Sequence, residues 1–434
     1  MQKTRISIAR FALLYFPPLY VSFTFAAYFA GPWGLSETST DFNFYLLILL
    51  CFLVIGAAAG HIAHVRPATT SQPFTSGLII FKLGLFLGIA LAIPTTYART
   101  GALIPNVIHG LANPAEAYQR SLTATPGIEY LRIVVAPLLF IVIPFGIHYW
   151  NELNTRIKAA FVIYALHIVA LFISMGVNRG VFEILLGSSF AYFLVRLTRR
   201  KFLTKKTLKL FATGLFLFSF ALLFFTHGQI NREGSGALSG FFFAAGTYSS
   251  LDPSLAESIP LQYLYVLFNQ LTIYISQGYY GASLIYEKGL DTLTYGLGHS
   301  DFLLRNAAKI FGEDILNHSP IYAMEYEKGW EHGNFWFSII PWIASDMGFL
   351  GTPICVALLA FSYTYAVRSY LELRDPFALA VSYLLFFLFI FFPANNYIVQ
   401  SGEGLMATYA VLAAWLIRVT ARILPRNLSE TRSA

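Results

Sequence analysis

Long apolar runs separated by short polar stretches dominate the chain. A transmembrane helix needs about 20 mostly apolar residues. Ten runs fit this length, at 11–30, 42–63, 76–97, 128–149, 159–177, 180–197, 208–226, 347–367, 377–394 and 405–423. Two further apolar stretches, 237–250 and 260–286, fit a re-entrant segment, an interfacial segment or an additional helix pair. The pattern predicts an all-α integral membrane protein, a polytopic bundle of about 10–12 transmembrane helices.

Basic residues lie mostly on one side of this pattern. Most of the 29 Lys and Arg residues fall in alternate loops, and the stretch RLTRRKFLTKKTLK at 196–209 is the richest. Such loops face the cytoplasm, so we expect both termini to be cytoplasmic, and 196–209 can meet anionic lipid headgroups. The first apolar run has no cleavage pattern of a signal peptide. We interpret the chain as a single transmembrane domain over 1–434, with a large outer loop containing short helices at 227–334.

Composition agrees with a membrane location. Hydrophobic residues make up 56% of the chain and charged residues 12%, whereas soluble domains carry about 25% charged residues. A single water-soluble domain is therefore excluded, membrane lipids are expected partners, and no nucleic-acid partner is expected. No GxxxxGK[ST], HExxH, CxxC or GxSxG motif occurs, so neither a cofactor nor a metal site is predicted.

Several arginines lie at the predicted outer ends of the spans. Arg179 opens the sixth span four residues before Glu183, and Arg232 lies in a Gly/Ser-rich stretch at 226–240. Arg99, Arg120 and Arg132 are weaker candidates of the same kind. A planar guanidinium suits a phosphate group. The alternatives are a helix-terminal ion pair for Arg179 and an exposed loop residue for Arg232.

The stretch EYEKGWEHGNFWFSIIPWIASDMGFLG at 325–351 carries two candidate acid–base groups. His332 could act as a general base near neutral pH. Asp346 could be a buried base or could orient a partner. The alternatives are an ordinary loop histidine and a helix-capping aspartate. Pro341, Gly348 and Gly351 indicate a broken helix at the outer boundary, where a carboxylate is tolerated if it lines a polar cavity.

Aromatic residues are abundant, with 26 Tyr and 41 Phe. Lipid-facing rings and interfacial belts explain most of them. For the tyrosine-rich stretch YISQGYYGASLIYEKG at 274–289, on the outer side, stacking on sugars is the alternative.

Two stretches resemble a known family. The sequence GYYGASLIYEKGLDTLTYGLGHS at 278–300, followed by GNFWFSIIPWIASDMGFLG at 333–351, is similar to the bacterial O-antigen polymerases, the Wzy-type polysaccharide polymerases. The NRG triplet at 178–180 and the predicted topology also fit. The resemblance implies a GT-C-like glycosyltransferase of the bacterial inner membrane. It would join undecaprenyl-pyrophosphate-linked oligosaccharide repeat units on the periplasmic side, without a metal, in partnership with a chain-length regulator protein.

The resemblance also implies roles for the candidate residues. Arg179 and Arg232 would hold the pyrophosphate, with support from Arg132 or Arg99, and His332 or Asp346 would be the base. Sugar contacts would come from three tyrosines, namely Tyr279, Tyr280 and Tyr295.

Two other functions fit the same pattern. An O-antigen ligase shares the topology, the lipid donor and the outer-face arginines, and differs in its product. A transporter of lipid-linked saccharides would place charges at mid-span and often shows repeated halves. Here the charges gather at the outer ends, which favours the polymerase.

Overall fold

The structure, a computed structural model, describes residues 2–31, 39–66, 75–122, 127–198, 205–233, 259–333 and 335–423. All regular secondary structure within these ranges is helical. In chain order the helices are α1 (Gln2–Leu14), α2 (Phe16–Ala30), α3 (Thr40–Ile62), α4 (Thr75–Ala90), α5 (Ala92–Thr100), α6 (Val107–Ala112), α7 (Pro114–Leu122), α8 (Gly127–Phe140), α9 (Val142–His148), α10 (Thr155–Ser174), α11 (Arg179–Thr198), α12 (Lys205–Glu233), α13 (Ile259–Lys288), α14 (Asp301–Phe311), α15 (Asp314–Asn317), α16 (Pro320–Lys328), α17 (Ile339–Leu373), α18 (Pro376–Ile390) and α19 (Gly402–Ile423). A 3₁₀ turn at Tyr397–Val399 lies between α18 and α19.

The bundle is that of a multi-pass membrane protein. Among the described residues, seven helices are long and apolar enough to cross a membrane, or nine if each of two bent pairs is one span. Every one of the ten predicted spans coincides with a helix or a helix pair. The shortest, α18, has 15 residues and a nearly continuous buried surface. The prediction of an all-α, polytopic membrane bundle is thus confirmed for the described residues.

Proline accounts for the two bends. The α1–α2 pair turns by 73° and the α4–α5 pair by 43°. Pro17 and Pro18 open α2, and Pro94 lies in the first turn of α5. Because proline has no backbone N–H, it fits at a helix start but cannot continue a straight helical ladder.

Helix α17 is the central element, and it is broken as predicted. Gly348 has φ 72° and ψ 165°, a conformation that favours glycine. Beyond the break, α17 packs closely on α3. A Cβ atom at Gly56 would overlap the Ala357 carbonyl oxygen, and one at Gly60 would lie 2.6 Å from the Phe361 oxygen. Glycines on α3 therefore allow the close backbone approach typical of membrane helices.

The predicted outer loop at 227–334 contains more helix than expected. Residues 227–233 continue α12, whose backbone remains helical through the polar sequence THGQINRE at 226–233. The stretch 260–286 lies in one continuous 30-residue helix, α13, which packs against α2 and α12. The short helices α14, α15 and α16 follow. The stretch 237–250 lies outside the described residues.

Polar groups gather at two opposite ends of the bundle. Helix α19 runs from Glu403 at one end to Arg422 at the other. At the second end, Arg418 and Arg422 lie 3.6 Å and 2.5 Å from the buried carboxylate of Asp375. At the first end, α8, α11 and α19 begin and α5 ends, and this end, which we call the Glu403 end, holds the candidate site.

Candidate functional site

One segment organises the Glu403 end. Residues 395–409, here called the return segment, follow α18 and include the first turns of α19. Arg179 Nε donates to the Tyr397 hydroxyl at 2.5 Å, and the Asp301 amide donates to Gln400 Oε1 at 3.0 Å. Further along, Glu403 bonds residues of two other helices and Tyr409 bonds a residue of a turn, as described below. Groups that are far apart in the sequence therefore meet on this segment.

The carboxylate of Asp346 accepts five hydrogen bonds just before the break at Gly348 in α17. Its Oδ1 accepts from Thr294 Oγ1 at 2.6 Å and from the amides of Gly296 and Gly298 at 2.7 Å and 2.9 Å. Its Oδ2 accepts from the amide and Nδ1 of His299 at 2.9 Å and 2.8 Å. The side chain is only 9% exposed. Asp346 thus hydrogen-bonds a histidine partner, the contact that an orienting role requires, and that role stays a prediction.

That partner is His299. Because a carboxylate only accepts hydrogen bonds, its contact with Nδ1 fixes the proton on Nδ1 and leaves Nε2 as the acceptor. Nε2 bonds the hydroxyl of Tyr409, whose side chain is partly exposed. A histidine held in this tautomer by a carboxylate is an oriented general base.

The sequence TYGLGHS at 294–300 wraps around the carboxylate because of its turn residues. Tyr295 and Gly296 have φ values of 47° and 94°, and this left-handed turn brings successive amides to one point. A Cβ atom at Gly298 would overlap the Thr294 hydroxyl. Tyr295 is 86% exposed beside the pair.

A second polar cluster lies two residues beyond His299. Asp301 accepts from Arg305 Nε at 2.9 Å and from the Tyr322 hydroxyl at 2.6 Å. His332 lies with Nε2 3.6 Å from Asp301 Oδ1, and its Nδ1 is 2.5 Å from Glu325 Oε2. Burial, together with the bond to Asp301, raises the pKa of the Tyr322 hydroxyl well above its usual range, so Tyr322 donates at neutral pH. His332 is therefore part of a paired network and is not an isolated loop histidine.

A cavity of about 200 Å³ opens beside this cluster. It is bounded by residues of α14, of the connection between α16 and α17, of α17 and of the return segment, namely Asp301, Arg305, His332, Gly333, Phe335, Trp336, Phe337, Trp342, Asn395 and Gln400. Three of these carry a buried polar atom without a hydrogen-bond partner among the described residues: Trp342 Nε1, Asn395 Oδ1 and Gln400 Nε2.

Arg99 and Arg132 are engaged by carboxylates. Arg99 bonds Glu129 through Nε and a terminal nitrogen, both at 2.8 Å, and bonds Glu403 at 2.9 Å. Arg132 bonds both oxygens of Glu403 at 2.9 Å and 2.8 Å, and the hydroxyl of Thr95 at 3.1 Å. Two guanidinium groups therefore face two carboxylates. The formal charge of the network is zero, so it has no excess positive charge that would attract a pyrophosphate.

Arg179 and Arg232 differ from that pair. Arg179 forms the predicted ion pair with Glu183 at 2.9 Å, and its guanidinium carbon lies 4.0 Å from the centre of the Tyr397 ring. Its side chain is still 45% exposed, so it can reach a ligand. Arg232 lies in the last helical turn of α12, whereas the sequence placed it in a Gly/Ser-rich loop. Its side chain is outside the described residues.

The three tyrosines separate in space. Tyr279 is fully buried, and its hydroxyl bonds that of Thr24 at 2.7 Å, which does not fit direct contact with a sugar. Tyr280 is half-buried against Trp330, with ring centres 5.2 Å apart. Only Tyr295 is exposed near the His299–Asp346 pair.

Sequence reasoning missed two members of the site. His299 lies within the YGLGHS stretch that carries the family resemblance, so this motif was the available signal. Tyr409 lies inside a predicted span, and its pattern gives no indication of a role.

Comparison with known proteins finds no match for this chain. The chain matches no protein-family model, and no curated protein and no solved structure matches it.

Proposed function

We propose that this protein is a metal-independent membrane glycosyltransferase of the O-antigen polymerase type. It joins undecaprenyl-pyrophosphate-linked oligosaccharide repeat units at the periplasmic face of the bacterial inner membrane, with both termini in the cytoplasm. One observation supports this most. The two stretches that resemble the polymerases are joined by the hydrogen bond between His299 and Asp346, an oriented acid–base pair at one end of a membrane bundle.

The chemistry requires a base and a stabilised leaving group. His299 Nε2 takes the proton of the acceptor hydroxyl, and the hydroxyl oxygen bonds to the anomeric carbon of the donor sugar. The bond from that carbon to the pyrophosphate oxygen breaks, and undecaprenyl pyrophosphate leaves with the electron pair. Asp346 stabilises the imidazolium that forms and keeps it oriented.

The leaving group needs positive charge near its developing negative charge. Arg179 is the best placed described candidate, because it is exposed and bonds Tyr397 of the return segment, which also carries Tyr409. Arg99 and Arg132 stabilise the Glu403 end in this proposal. A role of Arg232 at the pyrophosphate stays a prediction.

The proposal is tested in the source bacterium. A strain lacking the gene is complemented with the wild type, His299→Asn or His318→Asn, and its surface polysaccharide is separated on a gel. His318 is the matched control because it is an exposed histidine whose Nδ1 contacts only the Asp314 carbonyl oxygen. We expect a lipid-A core with a single repeat unit in the deletion strain and in His299→Asn. The ladder returns with the wild type and His318→Asn at equal protein levels.

A core without any repeat unit in the deletion strain would instead indicate a ligase or a transporter. A full ladder with His299→Asn would remove this histidine from the reaction.

A further inference from the structure

Two adjacent residues of the return segment bond the two groups that the proposed reaction needs. The side-chain amide of Asn396 donates to the His299 carbonyl oxygen at 3.0 Å, and the Tyr397 hydroxyl accepts from Arg179 Nε at 2.5 Å. We infer that Asn396 and Tyr397 form a bridge that fixes the proposed base and the proposed leaving-group arginine relative to each other. The reactive roles of His299 and Arg179 rest on the proposed function, whereas the attachment of His299 to Asn396 is a property of the fold itself.

Asn396 completes the support of His299. The amide and Nδ1 of His299 bond the carboxylate of Asp346, which belongs to α17. Asn396 adds a bond to the carbonyl group, and its side chain is buried, with 6% of its surface exposed. Water therefore has little access to replace this donor, and removing it is costly. The histidine is held by two elements, α17 through its ring and amide and the return segment through its carbonyl.

The bond from Asn396 belongs to a set of three that joins two short stretches. The Ser300 hydroxyl donates to the Val399 carbonyl oxygen at 2.5 Å, and the Asp301 amide donates to Gln400 Oε1 at 3.0 Å. Three consecutive residues of one stretch thus bond the other stretch in order. A shift of either stretch by one residue would break all three bonds, so the position of the base along the return segment is fixed.

The turn that follows Asn396 is buried and hydrogen-bonded, so it can hold the two groups at a constant distance. All three residues of the 3₁₀ turn at Tyr397–Val399 are buried. The Thr408 hydroxyl donates to the Ile398 carbonyl oxygen at 2.8 Å, and the Tyr397 ring stacks on Phe391 with ring centres 3.9 Å apart. Close packing leaves such a turn few other conformations.

On the arginine side, the bridge uses only Nε. Arg179 Nε donates to Tyr397 and to Glu183. Within the described part of the chain, its two terminal nitrogens form no hydrogen bond with the protein. These two nitrogens are the edge of a guanidinium that suits two phosphate oxygens. Tyr397 therefore fixes the group without occupying the atoms that a pyrophosphate would use.

The proposed reaction makes the relative position of the two groups important. In a direct displacement, the attacking oxygen and the leaving pyrophosphate lie on opposite sides of the anomeric carbon, so the base and the arginine act on one sugar from two directions. A misplacement of about 1 Å can cost about 100-fold in rate. Asn396 and Tyr397 do not touch the substrate in this proposal. They are positioning residues, and their loss lowers kcat and leaves KM unchanged.

The first test measures His299 itself, without any substrate. The full chain in lipid nanodiscs is treated with diethyl pyrocarbonate at about pH 8, where histidine side chains are neutral and reactive. Mass spectrometry gives the rate of carbethoxylation at each histidine. His318 is exposed and serves as the internal reference. His148 bonds Tyr370 inside the bundle, so its rate reports whether the fold is intact.

We expect His299 to react about fivefold faster in Asn396→Leu, because it loses one buried hydrogen bond. Tyr397→Phe releases the other end of the bridge and raises the rate by about twofold. Asn306→Leu is the matched control and reacts as the wild type does, since the Asn306 amide donates to the Phe302 carbonyl oxygen of its own helix. If Asn396→Leu loses the fold, the nearly isosteric Asn396→Asp gives a second reading, because it also lacks the donor and also reacts faster.

The second test measures polymer formation from purified lipid-linked repeat units. We expect kcat to fall at least about tenfold in Asn396→Leu and about fivefold in Tyr397→Phe, with KM within about twofold of the wild type. The double variant falls no more than about twofold below Asn396→Leu, because the relative position is already lost once one end of the bridge is released. Asn306→Leu keeps both wild-type constants.

Several results overturn the inference. The bridge is rejected if the rate of His299 modification is unchanged in both Asn396 variants or in Tyr397→Phe. Losses of kcat that multiply in the double variant also reject it, as does a rise of KM in place of a loss of kcat. Failure of the proposed function looks different, because the wild type then forms no polymer while His299 still reacts faster in Asn396→Leu and Tyr397→Phe. In that case the bridge stands and its catalytic role is rejected.

Discussion

His299 and Asp346 lie 47 residues apart in the chain, and Nδ1 of the first is 2.8 Å from Oδ2 of the second. The break at Gly348 ends the N-terminal segment of α17 just beyond the carboxylate, and the turn at 294–299 folds over that carboxylate. The pair therefore depends on two local backbone features, and both are encoded by glycine.

Replacing Asp346 with asparagine is expected to abolish most activity. The NH₂ group of asparagine is a donor where the carboxylate accepts, so it faces another donor, either a backbone amide or His299 Nδ1. The proton of His299 is then no longer fixed on Nδ1. We expect the rate of polymer formation from purified lipid-linked repeat units to fall at least about 100-fold. Asp314→Asn, at an exposed position, is the control. Wild-type rates in Asp346→Asn would show that the pair is only structural.

Removing the hydroxyl of Tyr409 is expected to have a smaller effect. In the proposed reaction the acceptor hydroxyl replaces the phenol at His299 Nε2. Tyr409→Phe therefore retains polymer formation within about tenfold of the wild type, measured in the same reconstituted assay. A loss as large as that of His299→Asn would instead mean that the phenol itself carries the proton.

Arg179→Ala is expected to slow the reaction by at least about tenfold, because the leaving pyrophosphate loses its guanidinium. Arg179→Lys restores part of the rate, since lysine keeps the charge without the planar fork. Arg120→Ala is the matched control: Arg120 also pairs with a glutamate one helical turn away and is exposed. The reconstituted assay measures all three variants. Equal rates in Arg179→Ala and Arg120→Ala would place Arg179 outside the site.

The network around Glu403 predicts a non-additive effect on stability. Glu403→Leu removes the carboxylate that bonds Arg132 twice and leaves it, among carboxylates, only the 4.0 Å contact with Glu129, which lowers the free energy of unfolding by about 3 kcal/mol. Arg132→Leu has a similar cost. The double variant leaves the neutral Arg99–Glu129 pair and is expected to be more stable than either single variant. Denaturant unfolding in detergent measures this, and losses that simply add would contradict it.

The close contact of α3 and α17 predicts a sensitive glycine. Gly56→Leu forces the two helices apart and lowers the free energy of unfolding by about 2 kcal/mol or more. Gly214→Leu is the control, because a Cβ atom there meets open space and leucine favours a helix. Thermal unfolding in detergent compares the two. A Gly56→Leu variant as stable as Gly214→Leu would show that the helices can separate at little cost.

The sequence predicted the spans well because a membrane imposes one simple requirement, about 20 apolar residues in a row. It also predicted the break in α17, since Gly348 stands in an otherwise helical run. The bends near Tyr15 and Leu91 were not predicted, because the apolar runs continue through them. The extension of α12 to Glu233 was missed for the opposite reason, as its last turns are polar.

Within the site, single residues were easier to predict than their partners. Asp346 stood out as a charge in an apolar run, but nothing in the sequence linked it to His299. The sequence alone makes Arg99 and Arg132 plausible anion ligands. In the structure both bond Glu403, which lies about 300 positions further along the chain. Partner choice over such separations depends on how the helices pack, and a single sequence does not encode this in any local pattern.

The return segment has a consequence for biosynthesis. A chain is made from its N-terminus, so residues 395–409 enter the membrane after all of their partners, including Arg132, Arg179 and His299. Until the return segment has been made, Arg132, Arg179 and His299 lack the hydrogen bonds that they form with it in the folded protein. Helix α19 therefore closes the polar end only after α5, α8 and α11 have been made.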